Sequence, residues 1–196
     1  MMNPEKVIVI FTEGETDEVF YKKLCDDLGA RQNTKLKLYI KNLKGVGRYE
    51  NKAPAKLKHE ILTKYPNIKI VVFCSYDTDV FSVPFQQKPP VDWLKIEQKV
   101  RYLGIDDIYH IKADKMIEDW FLLDTENICK FLNISLPKKV QGKNGFEKLK
   151  FLFKKGNKIY QKGYNVNNFV EQIDVHGIYE RLKSTFKKLN EEINKK

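Results

Sequence analysis

The pattern of apolar and polar positions predicts strands and helices that alternate through the first two thirds of the chain. Short apolar or alternating runs are typical of strands, and each is followed by the spacing of an amphipathic helix. The predicted strands are 7–11, 35–40, 68–74 and 107–111, and the predicted helices are 16–28, 54–64, 91–103 and 116–132, with a break near 124–125 left open in the last helix and an irregular loop at 80–90. Strands that alternate with helices pair in parallel through right-handed crossovers. We therefore predict an α/β fold, with a parallel sheet of about four strands flanked by helices.

Composition changes near residue 134. Residues 134–196 hold 15 Lys and Arg against six Asp and Glu, so they carry most of the net charge of +10. Helical patterns at 146–153, 165–170 and 178–189 make this region a basic helical extension. We predict a catalytic domain at 1–133 and a C-terminal extension at 134–196 that packs on it.

The positive charge of the extension attracts polyphosphate, which favours nucleic acid as a partner. The candidate phosphate-binding residues are Lys143, Lys154, Lys155 and Lys158. The alternative is a lysine-rich surface that is merely solvated.

Other features exclude several classes of protein. No run approaches the roughly 20 apolar residues of a membrane span, so no membrane partner is expected. The first residues lack the pattern of a secretory signal. Cys25, Cys74 and Cys129 are far apart and form no metal-binding or redox motif, which is typical of buried thiols in a reducing cytoplasm. We expect a cytoplasmic protein; the sequence leaves its oligomeric state open.

Acidic residues follow two of the predicted strands. Glu13 and Asp17 come after the first strand, and Asp77 and Asp79 come after the third. The carboxyl ends of parallel strands meet at one edge of a sheet, where open α/β sheets bind ligands. Mg²⁺ prefers oxygen ligands such as these carboxylates. The alternatives are the acidic first turn of a helix for Glu13 to Asp17 and a simple turn for Asp77 and Asp79.

The stretch 11–21, with the sequence FTEGETDEVFY, resembles the first motif of the TOPRIM fold of topoisomerases and primases. The variant is closest to the nucleases of the overcoming-lysogenization-defect (OLD) type. Glu13, Gly14 and Asp17 match that motif, and Asp77 and Asp79 match its Asp-x-Asp. The segment 117–124, which contains Glu118, also resembles a signature of small TOPRIM-like proteins. The resemblance covers roughly residues 7–124.

This resemblance implies a nuclease that uses Mg²⁺ or Mn²⁺ to cleave phosphodiester bonds of DNA or RNA, in bacterial defence against phage. The implied catalytic residues are Glu13, Asp77 and Asp79, and the implied metal ligands are those three with Asp17 and Glu118. Longer relatives carry an ATPase region that this chain lacks, so a partner ATPase is a further expectation.

Two alternatives stay open at this point. The first is a non-catalytic TOPRIM-like subunit that binds nucleic acid beside a partner ATPase. The second is a phosphatase of the haloacid-dehalogenase type, which also uses Asp-x-Asp, although on its first strand. No lysine is assigned as a transition-state cation, because Lys112, Lys115, Lys143 and Lys158 are all candidates and each also fits an ordinary surface position.

Overall fold

The computed structural model describes residues 4–79, 91–162 and 169–195, and the predicted loop at 80–90 lies outside them. Within these ranges the chain forms a single sheet of four parallel strands in the order β2-β1-β3-β4. The strands are β1 (Lys6–Thr12), β2 (Leu36–Asn42), β3 (Lys69–Asp77) and β4 (Asp107–Ala113). The predicted fold class, an α/β parallel sheet flanked by helices, is confirmed, and the architecture is consistent with a TOPRIM-like fold.

Helices cover both faces of the sheet. They are α1 (Glu15–Asp27), α2 (Tyr49–Lys56), α3 (Trp93–Tyr102), α4 (Ile117–Phe121), α5 (Thr125–Leu132), α6 (Gly145–Lys155), α7 (Phe169–Gln172), α8 (Val175–Arg181) and α9 (Lys183–Asn194). The helix α2 continues into a π-helical turn, Leu57–Leu62. No helix in the described ranges is long and apolar enough to cross a bilayer.

The central strands are apolar on both faces because helices bury both. Alternate residues of β1 point to opposite sides, so Val7 and Val9 join one core while Ile8 and Ile10 join the other. Helices α2 and α3 cover the first side. The second side is covered by α1 together with α4 to α9, so apolar residues of the basic C-terminal region share a core with the sheet. The boundary at residue 134 stays a prediction.

Two helical predictions need correction. The second helix begins at Tyr49 rather than at residue 54, because the Tyr49 hydroxyl is anchored in the core by the carbonyls of Phe11 and Ser75. The segment predicted as one helix at 178–189 is two helices, α8 and α9, which meet at Leu182 outside helical geometry. Part of the short helix predicted at 165–170 lies outside the described residues, and α7 begins at Phe169.

Candidate metal and catalytic centre

Three segments bring acidic side chains to the carboxyl edge of the sheet. Glu13 directly follows β1, Asp77 is the last residue of β3, and Glu118 lies in α4, just beyond β4. The strands β1, β3 and β4 are neighbours in the sheet, so their ends lie side by side. We call Glu13, Asp17, Asp77, Asp79 and Glu118 the acidic centre.

Asp77 makes contacts with several other groups at the acidic centre and is only 5% exposed. Its backbone N–H donates to Glu13 Oε1 at 2.9 Å, which places the Glu13 carboxylate against the end of β3. Asp77 Oδ1 accepts the N–H of Ile117 at 2.8 Å, at the start of α4. Asp77 therefore links the ends of all three segments.

Asp17 lies in the first turn of α1, where the N–H groups of the helix are free to bind acceptors. Its Oδ2 accepts the Gly14 N–H at 3.1 Å. Burial raises the pKa of Asp17, and the nearby carboxylates of Asp77, Glu118 and Glu13 raise it further. The negative charge of Asp17 therefore belongs to the same centre.

Glu118 is 1% exposed and its two oxygens have different surroundings. Oε1 accepts the Tyr160 hydroxyl at 3.0 Å, whereas Oε2 is buried and accepts no hydrogen bond from the described residues. Asp79 Oδ1 is likewise buried without a hydrogen-bond donor from the described part of the chain. A buried carboxylate oxygen without a partner is costly unless a cation or a donor reaches it.

Lys162 supplies a cation to this centre. Its Nζ lies 2.6 Å from Asp77 Oδ2 and 3.9 Å from Glu118 Oε2. Burial lowers the pKa of Lys162, but Asp77 and Glu118 outweigh that effect and raise the pKa above its ordinary value. Lys162 is therefore charged at neutral pH and neutralises part of the acidic centre.

One ammonium does not balance the centre. Burial, with Asp77 as the second cause, raises the pKa of Glu13 to about 7. Burial also raises the pKa values of Asp17, Asp77 and Glu118, although Lys162 opposes the rise for Asp77 and Glu118. Carboxylates whose charged forms are disfavoured in this way are candidates for cation binding or proton transfer.

The donor chemistry of the centre fits Mg²⁺ or Mn²⁺, because all of its candidate ligands are carboxylate oxygens. Within the described ranges, however, no three His, Cys, Asp or Glu side chains form a ready-made ligand set. Lys162 Nζ lies 2.6 Å from Asp77 Oδ2, so an ion that used this oxygen would have to displace the ammonium.

The structure brings together the acidic residues predicted from the sequence, but it adds two residues that the sequence did not suggest. Lys162 and Tyr160 come from the segment after α6, far from Asp77 and Glu118 along the chain. The basic character of residues 134–196 was the only available signal. Lys143, Lys154, Lys155 and Lys158 lie on or beside α6 and make no contact with the acidic centre among the described interactions.

No protein-family model matches this sequence, and the comparison with curated proteins gives no match either. Among solved structures, the chain is similar to the C-terminal region of the Xanthomonas campestris pv. campestris OLD protein. The TM-score is 0.33 and the identity is 13%, over 94% of this chain and 98% of that chain. Likeness at this level leaves the function to be inferred from the site itself.

Proposed function

We propose that this protein is a metal-dependent nuclease that cleaves phosphodiester bonds of DNA or RNA with Mg²⁺ or Mn²⁺. The observation that carries the proposal is the acidic centre, where side chains from three neighbouring strand ends meet with too little positive charge. The resemblance of residues 11–21 to the TOPRIM motif of OLD-type nucleases supports the same activity. Anti-phage defence is the biological context that we propose from this resemblance.

The metal ligands in this proposal are Glu13, Asp17, Asp77, Asp79 and Glu118. A divalent ion bound there would stabilise the attacking and leaving oxygens of the phosphodiester as a Lewis acid. Glu118 Oε2 and Asp79 Oδ1 are the first candidate donors, because both are buried and accept no hydrogen bond from the described residues.

Glu13 and Lys162 have separate roles in the proposal. Glu13 lies against the end of β3, so its carboxylate would either hold the metal or, where it is not a ligand, take a proton from the attacking water. Lys162 is 39% exposed along its side chain, so it can leave Asp77 and donate to a phosphate oxygen. The water oxygen then bonds to phosphorus and the phosphorus–oxygen ester bond breaks. The leaving oxygen takes a proton from solvent water, and the proton removed from the attacking water is released to solvent.

The test is a cleavage assay with Mg²⁺, Mn²⁺ or EDTA on supercoiled plasmid, linear duplex, single-stranded DNA and structured RNA. Glu13→Gln is expected to abolish cleavage of every substrate. Glu15→Gln is the matched control, because Glu15 is exposed at the start of α1, two residues after Glu13, and makes no contact with the centre among the described interactions. Equal activity of the two variants, or equal cleavage in EDTA, would contradict the proposal.

The second candidate function is a non-catalytic subunit that binds nucleic acid and acts with a partner ATPase. The ion pair between Lys162 and Asp77 favours it, because an internal ammonium satisfies a carboxylate that an active site would reserve for metal. The two candidates differ in metal binding. Calorimetric titration with Mn²⁺ gives a saturable signal that Glu118→Gln weakens if the protein is a nuclease, and gives no signal if it is a non-catalytic subunit.

A further inference from the structure

A groove with both basic and apolar walls runs along α6 and the segment after it. Its volume is about 610 Å³, which is within the range of ligand-binding clefts. The basic wall is formed by Lys150, Lys154 and Lys158, of which the first two lie one helical turn apart on α6. We call this feature the α6 groove.

The apolar wall of the α6 groove contains Phe151 and Ile159. Ile159 is 83% exposed, which is unusual for a large aliphatic residue beside three lysines. A combination of ammonium groups and exposed apolar surface matches a ligand that has both phosphates and flat apolar faces. Glu147 also lines the groove, but its Oε2 accepts the N–H of Lys143.

The α6 groove is joined to the acidic centre by one short segment. Tyr160 lines the groove, and its hydroxyl donates to Glu118 Oε1 at 3.0 Å. Two residues later, Lys162 contacts Asp77. A ligand in the groove therefore lies against the same segment that carries both of these contacts.

The combination of walls discriminates between forms of nucleic acid. A duplex presents its phosphates to lysines, but its bases are stacked and paired, so Ile159 and Phe151 would stay in water. An unpaired strand can place phosphates at the lysines and a base face on the apolar wall, which buries apolar surface.

We propose that the α6 groove binds single-stranded nucleic acid, with an unpaired base on Ile159 and Phe151 and flanking phosphates at Lys150, Lys154 and Lys158. This inference deepens the proposed function, because it names the substrate class of the acidic centre, and it rests on that function only for the cutting step. Binding itself needs no metal.

The experiment measures fluorescence anisotropy of labelled oligo-dT, oligo-U and a blunt DNA duplex of the same length, all in EDTA at several salt concentrations. The parent protein is expected to bind the single strands more tightly than the duplex. Lys154→Ala is expected to weaken single-strand binding and to flatten the salt dependence by about 0.7 in log–log slope. Lys187→Ala is the matched control, because Lys187 is an exposed lysine of another C-terminal helix, α9, and does not line the groove.

Ile159→Asn separates the apolar contribution from the charge. It is expected to lower single-strand affinity roughly 5- to 10-fold, in line with the contribution of one stacked base, without changing duplex affinity or the salt slope. Both Lys154 and Ile159 are exposed, so the melting temperatures of the variants should equal that of the parent.

Two results would overturn the inference. One is duplex binding at least as tight as single-strand binding, and the other is equal effects of Lys154→Ala and Lys187→Ala. These outcomes are independent of cleavage. A protein that binds single strands through the groove but cleaves no substrate would contradict the nuclease proposal alone. A protein that cleaves nucleic acid, but whose single-strand binding is unaffected by substitutions in the groove, would contradict only the inference. The oligo-dT and oligo-U arms show whether DNA or RNA is preferred.

Discussion

Glu118 and Glu192 are both 1% exposed, but they lie at opposite edges of the sheet in opposite electrostatic surroundings. Glu192 is at the amino edge, where Lys6 begins β1, and its carboxylate contacts Lys188 at 3.1 Å, Lys6 at 3.5 Å and Lys195 at 3.9 Å. Glu118 contacts one lysine at 3.9 Å and lies near other carboxylates.

The two glutamates differ in pKa as a result. Burial alone would raise the pKa of either residue, but for Glu192 the lysines outweigh burial and lower it. For Glu118 the pKa stays raised. Burial therefore does not by itself identify a functional carboxylate. A more useful indication is a buried carboxylate with too few lysine ammonium groups around it to balance its charge. We expect Glu192 to stabilise the fold and Glu118 to serve binding and catalysis at a cost in stability.

The largest expected effect is the loss of activity in Glu118→Gln. We expect metal-dependent cleavage to fall by about 100-fold or more, since the charge that would bind metal is removed. The melting temperature should stay unchanged or rise, because Gln keeps an acceptor for Tyr160 and removes charge from a crowded centre. Initial cleavage rates and calorimetric melting check this. A clear loss of stability would make Glu118 a structural residue like Glu192.

The next effect is the loss of stability in Glu192→Gln. We expect a decrease of about 2–3 kcal/mol in the free energy of unfolding, because the largely buried Lys6 ammonium loses the opposite charge of the Glu192 carboxylate and keeps the neutral carbonyl of residue 192 as an acceptor. The value is below that of a fully buried pair because Lys188 and Lys195 reach water. Urea denaturation measures it. Cleavage per folded molecule should equal that of the parent. A Glu192→Gln variant that is stable but inactive would contradict the assignment of a structural role to Glu192 and a functional role to Glu118.

A smaller effect concerns the pH dependence of stability without metal. Glu13 has a pKa of about 7 in the folded protein, raised from an ordinary value of 4.5. The folded state therefore binds the proton more tightly, and its stabilising effect is complete below pH 4.5 and is lost as the pH rises through 7. Glu13→Gln should remove this loss and be more stable than the parent at pH 8 by on the order of 1 kcal/mol.

Thermal melting in EDTA between pH 4.5 and 8 checks the effect of Glu13. Glu15→Gln provides the baseline and should follow the parent curve at every pH. If Glu13→Gln also follows the parent curve, then the acidic centre does not oppose ionisation of Glu13. The excess of negative charge at the carboxyl edge, compared with the amino edge around Glu192, would then be smaller than the structure indicates.

The smallest effect on stability is expected at the pair of His176 and Asp27, which is an ion pair on the protein surface. Asp27 accepts from His176 Nδ1 at 2.9 Å and raises the pKa of His176. The contribution to stability is present below the ordinary His pKa and is lost as the pH rises through the raised value. His176→Asn should lower the melting temperature only slightly at pH 6 and not at pH 9. An effect as large as that of Glu192→Gln would show that exposure does not weaken such pairs here.

The sheet and the acidic centre could be predicted because their signals are local in the sequence. Each strand is a short apolar or alternating run, and the structure extends the third strand through Asp77, whereas the prediction ended it at residue 74. The acids were expected at one edge because each lies at or just after the predicted end of a strand, and parallel strands bring their carboxyl ends together.

The start of α2 could not be predicted because a tertiary contact decides it. Pro54 is typical of the first turn of a helix, so the pattern predicted a start there. In the structure Pro54 lies inside the helix, where it cannot donate to the carbonyl of Glu50. Lys99 of α3 approaches that carbonyl at 3.5 Å, so a neighbouring helix partly replaces the missing donor.

Lys162 and Tyr160 could not be predicted for a similar reason. Lys162 is 85 residues from Asp77, and Tyr160 is 42 residues from Glu118. Their positions depend on the packing of α6 against α4 and α5, which no local pattern encodes. In the sequence, nothing distinguishes Lys162 from the other lysines that were considered as the cation of the site.

The shared core on the second side of the sheet has a consequence for synthesis on the ribosome. Ile8, Ile10, Val71 and Phe73 leave the ribosome before the residues that complete their burial, which lie between Leu149 and Ile193. Until then the nascent sheet keeps an apolar face open to water, which is a surface that chaperones and other nascent chains bind. A fragment ending at residue 133 would keep that face permanently and would also lack Lys162, so neither solubility nor an intact centre is expected of it.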